Sequence, residues 1–429
     1  MEIMLHSFSV HNYKCIRDLT LDLSFAEGKA PNGYRDSSNH IFVEQADGKG
    51  RLCTTLALYG ANASGKSTIL EALEVLRLLI SNGLGVGLYA PNRVIRNMLS
   101  EPTLFEVSFF KDRLKFTYTL SYAARGLIED RLTCNVKTLF AVEGSAVVDC
   151  PFKEKVQGTF AETCVSARTG NQIRTFLFQV AKALPGVSRE LECARDFLLG
   201  DIVFRARNFV DASEGLELLS RCYDQTESEE PRRDRALKEI TSMLHKLDFR
   251  IEGLRMEVKR LGDIWSRLPD DAQKKLQGED PEKLLYRMET VHRAETGESA
   301  VFRLEDESEG TQKLVGLLGV VLAALHTGKV LVIDELDQSL HSLLVCQLVR
   351  LFKEKRTNKN NAQLICATQN TDLLASGLLQ LSEVGIVRQV GLEGASILRL
   401  AAVPELRNVS DFRKRYLRGD FGGIPFPCV

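Results

Sequence analysis

Residues 60–67, Gly60-Ala61-Asn62-Ala63-Ser64-Gly65-Lys66-Ser67, fit the phosphate-binding P-loop pattern in full, and no other stretch restricts the fold so strongly. The glycines let the backbone turn tightly enough for successive N–H groups to point at phosphate oxygens. Lys66 is placed to reach the β and γ phosphates of ATP, and the Ser67 hydroxyl to bind Mg²⁺. Both flanks agree with this reading. Residues 54–59 form a short apolar strand, and beyond the loop Ile69, Leu70, Leu73, Leu76, Leu79 and Ile80 recur at helical spacing. A helix starting here aims its positive end at the phosphates, with Thr68 joining the nucleotide-binding set. The bland alternative is a glycine turn that caps a helix. The strand–loop–helix context argues against it.

A P-loop alone does not hydrolyse ATP; it needs an acid at the end of a neighbouring strand. Residues 329–335, Lys-Val-Leu-Val-Ile-Asp-Glu, supply two. Asp334 is expected in the Mg²⁺ shell, and Glu335 is expected to orient the attacking water or accept its proton. Most of the chain separates Lys66 from Asp334, so the nucleotide-binding domain is expected to be split by an insertion. A third element, Ser308-Glu309-Gly310, precedes the apolar run 314–325. A Ser and a Gly at a helix start make a second phosphate cradle, or simply a cap.

Between these motifs the texture changes. Residues 104–148 alternate with period two, which predicts an antiparallel meander of three or four strands. Residues 27–50 read as a loop or small hairpin. Residues 150–260 read mainly as helices, at 173–184, 191–199 and 235–247. The charged stretch 226–235 reads as an exposed turn, where acids surround Arg232, Arg233 and Arg235 and argue against a nucleic-acid contact. Residues 284–292 and 300–304 read as a hairpin. Apolar strands at 329–333, 363–368 and 383–390, alternating with helices, imply a parallel sheet covered on both faces. The fold class is therefore α/β, a P-loop nucleotide-binding domain split by an inserted antiparallel-β and helical region. Its expected parts are 1–103, 104–150, 151–283 and 284–429.

The formal net charge of −1 and a pI near 6.7 give no global basic excess, so any nucleic-acid contact must come from a local patch. The scattered cysteines lack metal-site spacing and read as reduced thiols of a cytoplasmic protein. The N-terminus lacks the apolar core of a signal peptide, and the run 314–325 is short for a membrane span.

The P-loop, the Ser-x-Gly helix start, the Ile-Asp-Glu strand and the Leu336-Asp337 stretch follow in the order of ABC-type ATPases. With Asn12-Tyr13-Lys14-Cys15-Ile16-Arg17 near one end and Tyr416 to Phe421 near the other, the chain resembles the prokaryotic RloA/AriA-like ATPases. These are related to the ATPase part of overcoming-lysogenisation-defect (OLD) proteins. The resemblance implies a head-to-tail homodimer or higher oligomer, with ATP between Lys66 of one copy and Ser308, Glu309 and Gly310 of the other. It places Asp337 at that interface and Lys14 near the nucleotide. It also implies a sensor in antiphage defence, triggered by a phage protein and controlling a separate effector such as a Toprim-like nuclease. Gln369 departs from the pattern by standing where such ATPases carry a histidine. A glutamine hydrogen-bonds phosphate or water but carries no charge, so turnover is either slowed or adequately served. Two further readings stay open, a DNA-clamping maintenance ATPase and a nucleotide-gated scaffold with little turnover.

Overall fold

The computed structural model describes residues 3–26, 42–45, 47–84, 87–144, 146–152, 175–177, 179, 186, 188–205, 211–247, 250–267, 273–274, 277–278, 280–282, 284–403, 406 and 412–424. The chain begins with the hairpin β1 (Ile3–Tyr13) and β2 (Ile16–Asp22), then the short pair β3 (Phe42–Glu44) and β4 (Arg51–Cys53). Strand β5 (Thr55–Tyr59) feeds the P-loop and α1 (Lys66–Asn82). An antiparallel meander follows: β6 (Thr103–Lys111), β7 (Leu114–Ala123), β8 (Gly126–Cys134), β9 (Lys137–Glu143) and β10 (Ala146–Asp149). Next come α2 (Arg189–Asp196), β11 (Ile202–Arg205), α3 (Ala212–Ser220), α4 (Glu229–Lys246), β12 (Gly253–Arg260), β13 (Leu284–Arg293) and β14 (Ser299–Arg303). The rest of the chain forms α5 (Glu309–Thr327), β15 (Val330–Ile333), α6 (Ser342–Lys353), β16 (Gln363–Ala367), β17 (Val384–Val390), β18 (Gly394–Arg399) and α7 (Phe412–Leu417).

These elements form two compact units, Met1–Arg207 with Ala324–Val429, and Asn208–Ala323. In the first, strands pair in the order β10-β9-β8-β7-β6-β1-β2-β18-β17-β5-β16-β15-β11. The run β17-β5-β16-β15-β11 is parallel throughout, and the rest is antiparallel. This is the α/β class expected, a P-loop domain whose halves are interrupted by the antiparallel strands and by the second unit. Parallel strands β5, β15 and β16 are buried along their whole length, which is why they read as continuous apolar runs rather than alternating ones.

Helix α1 closes one core with both kinds of strand. Its Ile69, Leu73, Leu76 and Ile80 share a buried cluster with Leu58, Val332, Phe105 and Phe116. Phe109 stacks flat on Phe197 at 3.9 Å between ring centres, tying the meander to the turn after α2. Each such side chain contributes roughly 1.5–3 kcal/mol when fully buried. The meander is therefore welded to the nucleotide-binding sheet through the helix that follows the P-loop.

The second unit holds the three-stranded sheet β12-β13-β14 and helices α3 and α4, with Leu216, Leu219, Leu237, Ile240 and Leu244 buried. Helix α5 starts here. By length and composition it is long and apolar enough to cross a membrane, its 19 residues including the polar first turn ahead of the apolar run. Its Leu314, Val315, Leu317 and Leu318 are nevertheless buried inside the protein, as in a core helix.

Several expectations change. The meander has five strands, because the short 146–149 segment pairs with β9. The charged stretch 226–235 is not a turn throughout; α4 begins at Glu229, where Glu229 and Glu230 complement the helix N-terminus and Glu229 pairs with Arg233 one turn on. β11, in a stretch read as helical, is instead a core strand beside β15. The sequence reading missed β18. Most of the helix expected at 173–184 lies outside the described residues. Among those described, every cysteine is a free thiol.

Candidate functional site

The parallel strands end together, and their carboxyl ends carry the chemistry. Residue 60 follows β5, Asp334 follows β15, Thr368 and Gln369 follow β16, and Arg205 ends β11. A cleft of about 720 Å³ opens there, lined by the P-loop from Asn62 to Thr68, by Asp334, Glu335 and Asp337, and by Thr368 and Gln369. The structure thus brings together most residues the sequence singled out. Gly60 and Ala61 form the loop's base, and Ser308, Glu309 and Gly310 belong to the other unit.

The loop is shaped for an anion. Gly60 has φ +152° and a Cβ there would lie 2.3 Å from the Val387 carbonyl oxygen. Gly65 has φ +106°, and a Cβ would lie 2.8 Å from the Ala395 methyl. Only glycine fits either position. Ala63 also takes a left-handed φ, +62°, a conformation costly for a side-chain-bearing residue and typical of ligand clamps. Helix α1 has no side-chain cap and no acid in its first turn, so its N-terminal N–H groups and dipole face the cleft uncompensated. The Ser64 hydroxyl is buried with no hydrogen-bond partner among the described residues. A buried orphan hydroxyl beside an uncapped helix start suits phosphate.

Lys66 folds back over the loop and donates to the Gly60 and Ala61 carbonyls at 2.7 and 2.9 Å. Burial lowers its pKa, while Asp334, Asp337 and Glu335 oppose the shift. Asp334 is 8% exposed, and its N–H bonds the Arg205 carbonyl at 3.0 Å. With the Ser67 hydroxyl it could supply hard oxygen ligands of the kind Mg²⁺ takes. Glu335 sits next to it in a left-handed turn at φ +53°. Asp337 accepts from the Thr368 hydroxyl at 2.8 Å and the Gln369 N–H at 3.2 Å. The Gln369 side-chain amide donates to Asn62 Oδ1 at 2.8 Å, so β16 and the P-loop are bridged across the cleft.

The N-terminal motif divides its labour. Asn12 is fully buried and organises the loop ahead of β6, donating to the Met98 and Glu101 carbonyls and accepting from the Asn92 N–H, each at 2.8 Å. The Lys14 ammonium lies outside the cleft, on Glu71 at 2.5 Å. Cys15 is the residue of this motif that lines the cleft, with its sulfur 3.2 Å from where a Gly65 Cβ would stand. The sequence reading quoted Cys15 without assigning it a place, because its position depends on the turn between β1 and β2.

Ser308 caps α5: its Oγ accepts from the Thr311 N–H at 3.2 Å. The preceding Glu307 is held by Thr290 and His292 of β13, at 2.6 and 2.7 Å. The helix start is thereby fixed to the second unit's sheet.

The family described as "AAA domain, putative AbiEii toxin, Type IV TA system" matches residues 56–139 and 186–375, more than half of the chain. The chain belongs to this AAA-domain family. Its two matched segments carry the P-loop, the Asp334-Glu335 strand end and the Ser308 helix start of an ATPase domain. Among solved structures, the chain is similar to the SmcHead bound to the C-winged helix domain of ScpA, at 13% identity and TM-score 0.45, covering 94% of this chain and 99% of that one. It is also similar to the SMC head domain from Thermotoga maritima, at 14% identity and TM-score 0.38, covering 93% and 99%. The fold assignment stands on the strand order above, not on these likenesses. No curated protein matches.

Proposed function

We propose that this AAA-domain protein binds MgATP in the 720 Å³ cleft, hydrolyses it, and uses the nucleotide to hold two copies together. The observation that carries the reading is the convergence of an uncapped, glycine-shaped P-loop with Asp334, Glu335 and Gln369 in one cleft. The loop's N–H groups and the α1 N-terminus hold the phosphates. Lys66 exchanges its two carbonyl partners for β and γ phosphate oxygens. Ser67 and Asp334 hold Mg²⁺, which when bound neutralises phosphate charge and polarises the γ-phosphoryl group. Glu335 orients the attacking water and takes up its proton. The Gln369 amide turns from Asn62 toward that water or the phosphate.

The start of α5, capped by Ser308, lies on a different unit from the P-loop. In the head-to-tail dimer that the resemblance to RloA/AriA-like ATPases suggests, Ser308, Glu309 and Gly310 of a second copy close over the nucleotide. The resemblance of the P-loop, the Ser308 helix start and the Asp334-Glu335 strand end to RloA/AriA-like ATPases motivates a role in bacterial antiphage defence. In that role the ATP-bound assembly restrains a separate effector and releases it when a phage protein is sensed.

Glu335→Gln should keep MgATP binding and lower turnover by ~10²–10⁴-fold, as loss of a general base does. It should also shift the protein to dimer in light scattering with MgATP. Lys66→Ala should abolish binding and dimerisation together. Nucleotide uptake indifferent to Lys66 would sink the proposal.

A further inference from the structure

Strand β16 stops at Ala367, and the next two residues, Thr368 and Gln369, line the cleft. The main chain here is pinned residue by residue. The Thr368 N–H bonds the Leu58 carbonyl, the Asn370 N–H bonds the Thr368 hydroxyl, and the Asn370 carbonyl accepts from the buried Tyr59 hydroxyl, each at 3.0 Å. Gln369 lies between them, past the last strand pairing. Its N–H is taken by the Asp337 carboxylate, 3.2 Å from each oxygen. Oδ1 of that carboxylate also accepts from the Thr368 hydroxyl at 2.8 Å. An ionised acceptor makes these bonds stronger than bonds between neutral groups.

Asp337 shares a turn with Glu335, the residue assigned to the attacking water. The Leu336 N–H bonds the Ala367 carbonyl at 3.1 Å, and the Gln338 N–H bonds the Glu335 carbonyl at 3.0 Å. Glu335 and Ser339, on either side of Asp337, both take a left-handed φ, +53° and +58°. The turn that presents Glu335 therefore also presents the carboxylate that fixes residue 369. The Gln369 side chain, in contrast, has one partner among the described residues, Asn62 Oδ1 at 2.8 Å.

We infer that Asp337 is a positioning residue for Gln369, acting within its own chain. This rests on the ATPase reading above. The resemblance puts Asp337 between two copies, yet both of its oxygens are engaged by residues of the same chain. Gln369 reaches the γ-phosphate or the attacking water by turning about its side-chain bonds from a fixed backbone. Without Asp337, the residue 369 N–H loses its acceptor and the side chain starts from a looser base. A misplacement of ~1 Å costs up to about 10²-fold in rate. The P-loop holds the nucleotide independently, so the loss falls on kcat rather than KM.

The test uses the full chain as wild type, Asp337→Ala, Asp337→Asn, Gln369→Ala and the double variant of Asp337→Ala with Gln369→Ala. Steady-state kcat and KM for MgATP are measured, with light scattering in MgATP as the readout of assembly. Asp337→Ala should lower kcat by ~10–10²-fold, with KM and assembly as in wild type. Asp337→Asn should keep kcat near that of wild type, because one amide oxygen can accept from both Thr368 and Gln369, as Oδ1 does now. The double variant should lose no more than about twofold beyond Gln369→Ala, the mark of two residues acting through one group. Additive losses, or Asp337→Asn as slow as Asp337→Ala, overturn the assignment. So does Asp337→Ala losing assembly that the wild type shows, which would return Asp337 to the contact between copies, and so does Gln369→Ala at wild-type turnover. A wild type that binds but does not hydrolyse ATP overturns the ATPase reading together with this one, whereas the other contrary outcomes overturn this one alone.

Discussion

Asp130 shows how tightly the meander is closed. It is 1% exposed, and its Oδ2 accepts from the Phe176 N–H at 2.5 Å. Burial pushes its pKa up to about 7, against the pull of the Phe176 N–H and the Tyr118 hydroxyl, with Glu129 adding a smaller upward push. The native state therefore holds a proton that the unfolded chain has released. Stability from this group is full below the ordinary carboxylate range and is lost as pH rises to about 7, with no further change above. Asp130→Asn keeps an acceptor for Phe176 and removes the ionisation. Its melting temperature should gain on that of the wild type by a few degrees between pH 5 and pH 8, as read by differential scanning fluorimetry. A gap that does not change with pH would contradict the buried, raised carboxyl.

At the scale of elements, the approach of α3 to α5 is set by glycine. A Cβ on Gly215 would meet the Gly316 carbonyl oxygen at 2.3 Å, and one on Gly319 would meet the Gly215 carbonyl carbon at 2.4 Å. Both clashes are with backbone, which cannot swing aside. Helix propensity alone would make Gly215→Ala stabilising by ~1 kcal/mol. Overpacking should reverse the sign, for a net loss of ~1–2 kcal/mol in urea unfolding. Faster hydrogen exchange at the Ser308-capped start of α5 should accompany it. A stabilised Gly215→Ala variant would refute the close crossing.

Elements also mark where sequence reading succeeds and stops. The P-loop, the Asp334-Glu335 strand end and the Ser308 helix start were legible because each couples a local pattern to a local chemistry. β11 was not: Ile202-Val-Phe-Arg205 is too short to show a period, and only its pairing with β15 makes it a strand. β18 mixes Gly394, Ser396 and Arg399 with apolar residues, and it joins β2 only at Gly394 opposite Ile16. α4 was cut short because its first turn looks like a solvated loop until Glu229 and Arg233 are placed on one helix face.

Across the whole molecule, the nucleotide loop is completed by parts far from it in sequence. Tyr416 stacks edge-on against Tyr59 at 5.6 Å, and its hydroxyl donates to the Gly423 carbonyl at 3.2 Å. A Cβ on Gly423 would lie 2.4 Å from Ile386 Cγ2 and 3.7 Å from the Gly60 Cα. The segment 416–423 thus rests on the floor of the P-loop without touching the cleft. Gly423→Val should weaken MgATP-analogue binding by about tenfold, ~1.4 kcal/mol, with little change in overall helix content by circular dichroism. Unaltered affinity would show the tail to be a bystander.

The same contact has a consequence for biosynthesis. The ribosome makes the P-loop early, but Tyr416 and Gly423 leave it about 350 residues later, on the order of 20–70 s at ~5–20 residues per second. Until then the loop lacks its floor. A nascent chain carrying every phosphate-binding residue would still be unable to hold nucleotide firmly. If ATP joins two copies as proposed, that pairing would wait until synthesis has passed residue 423.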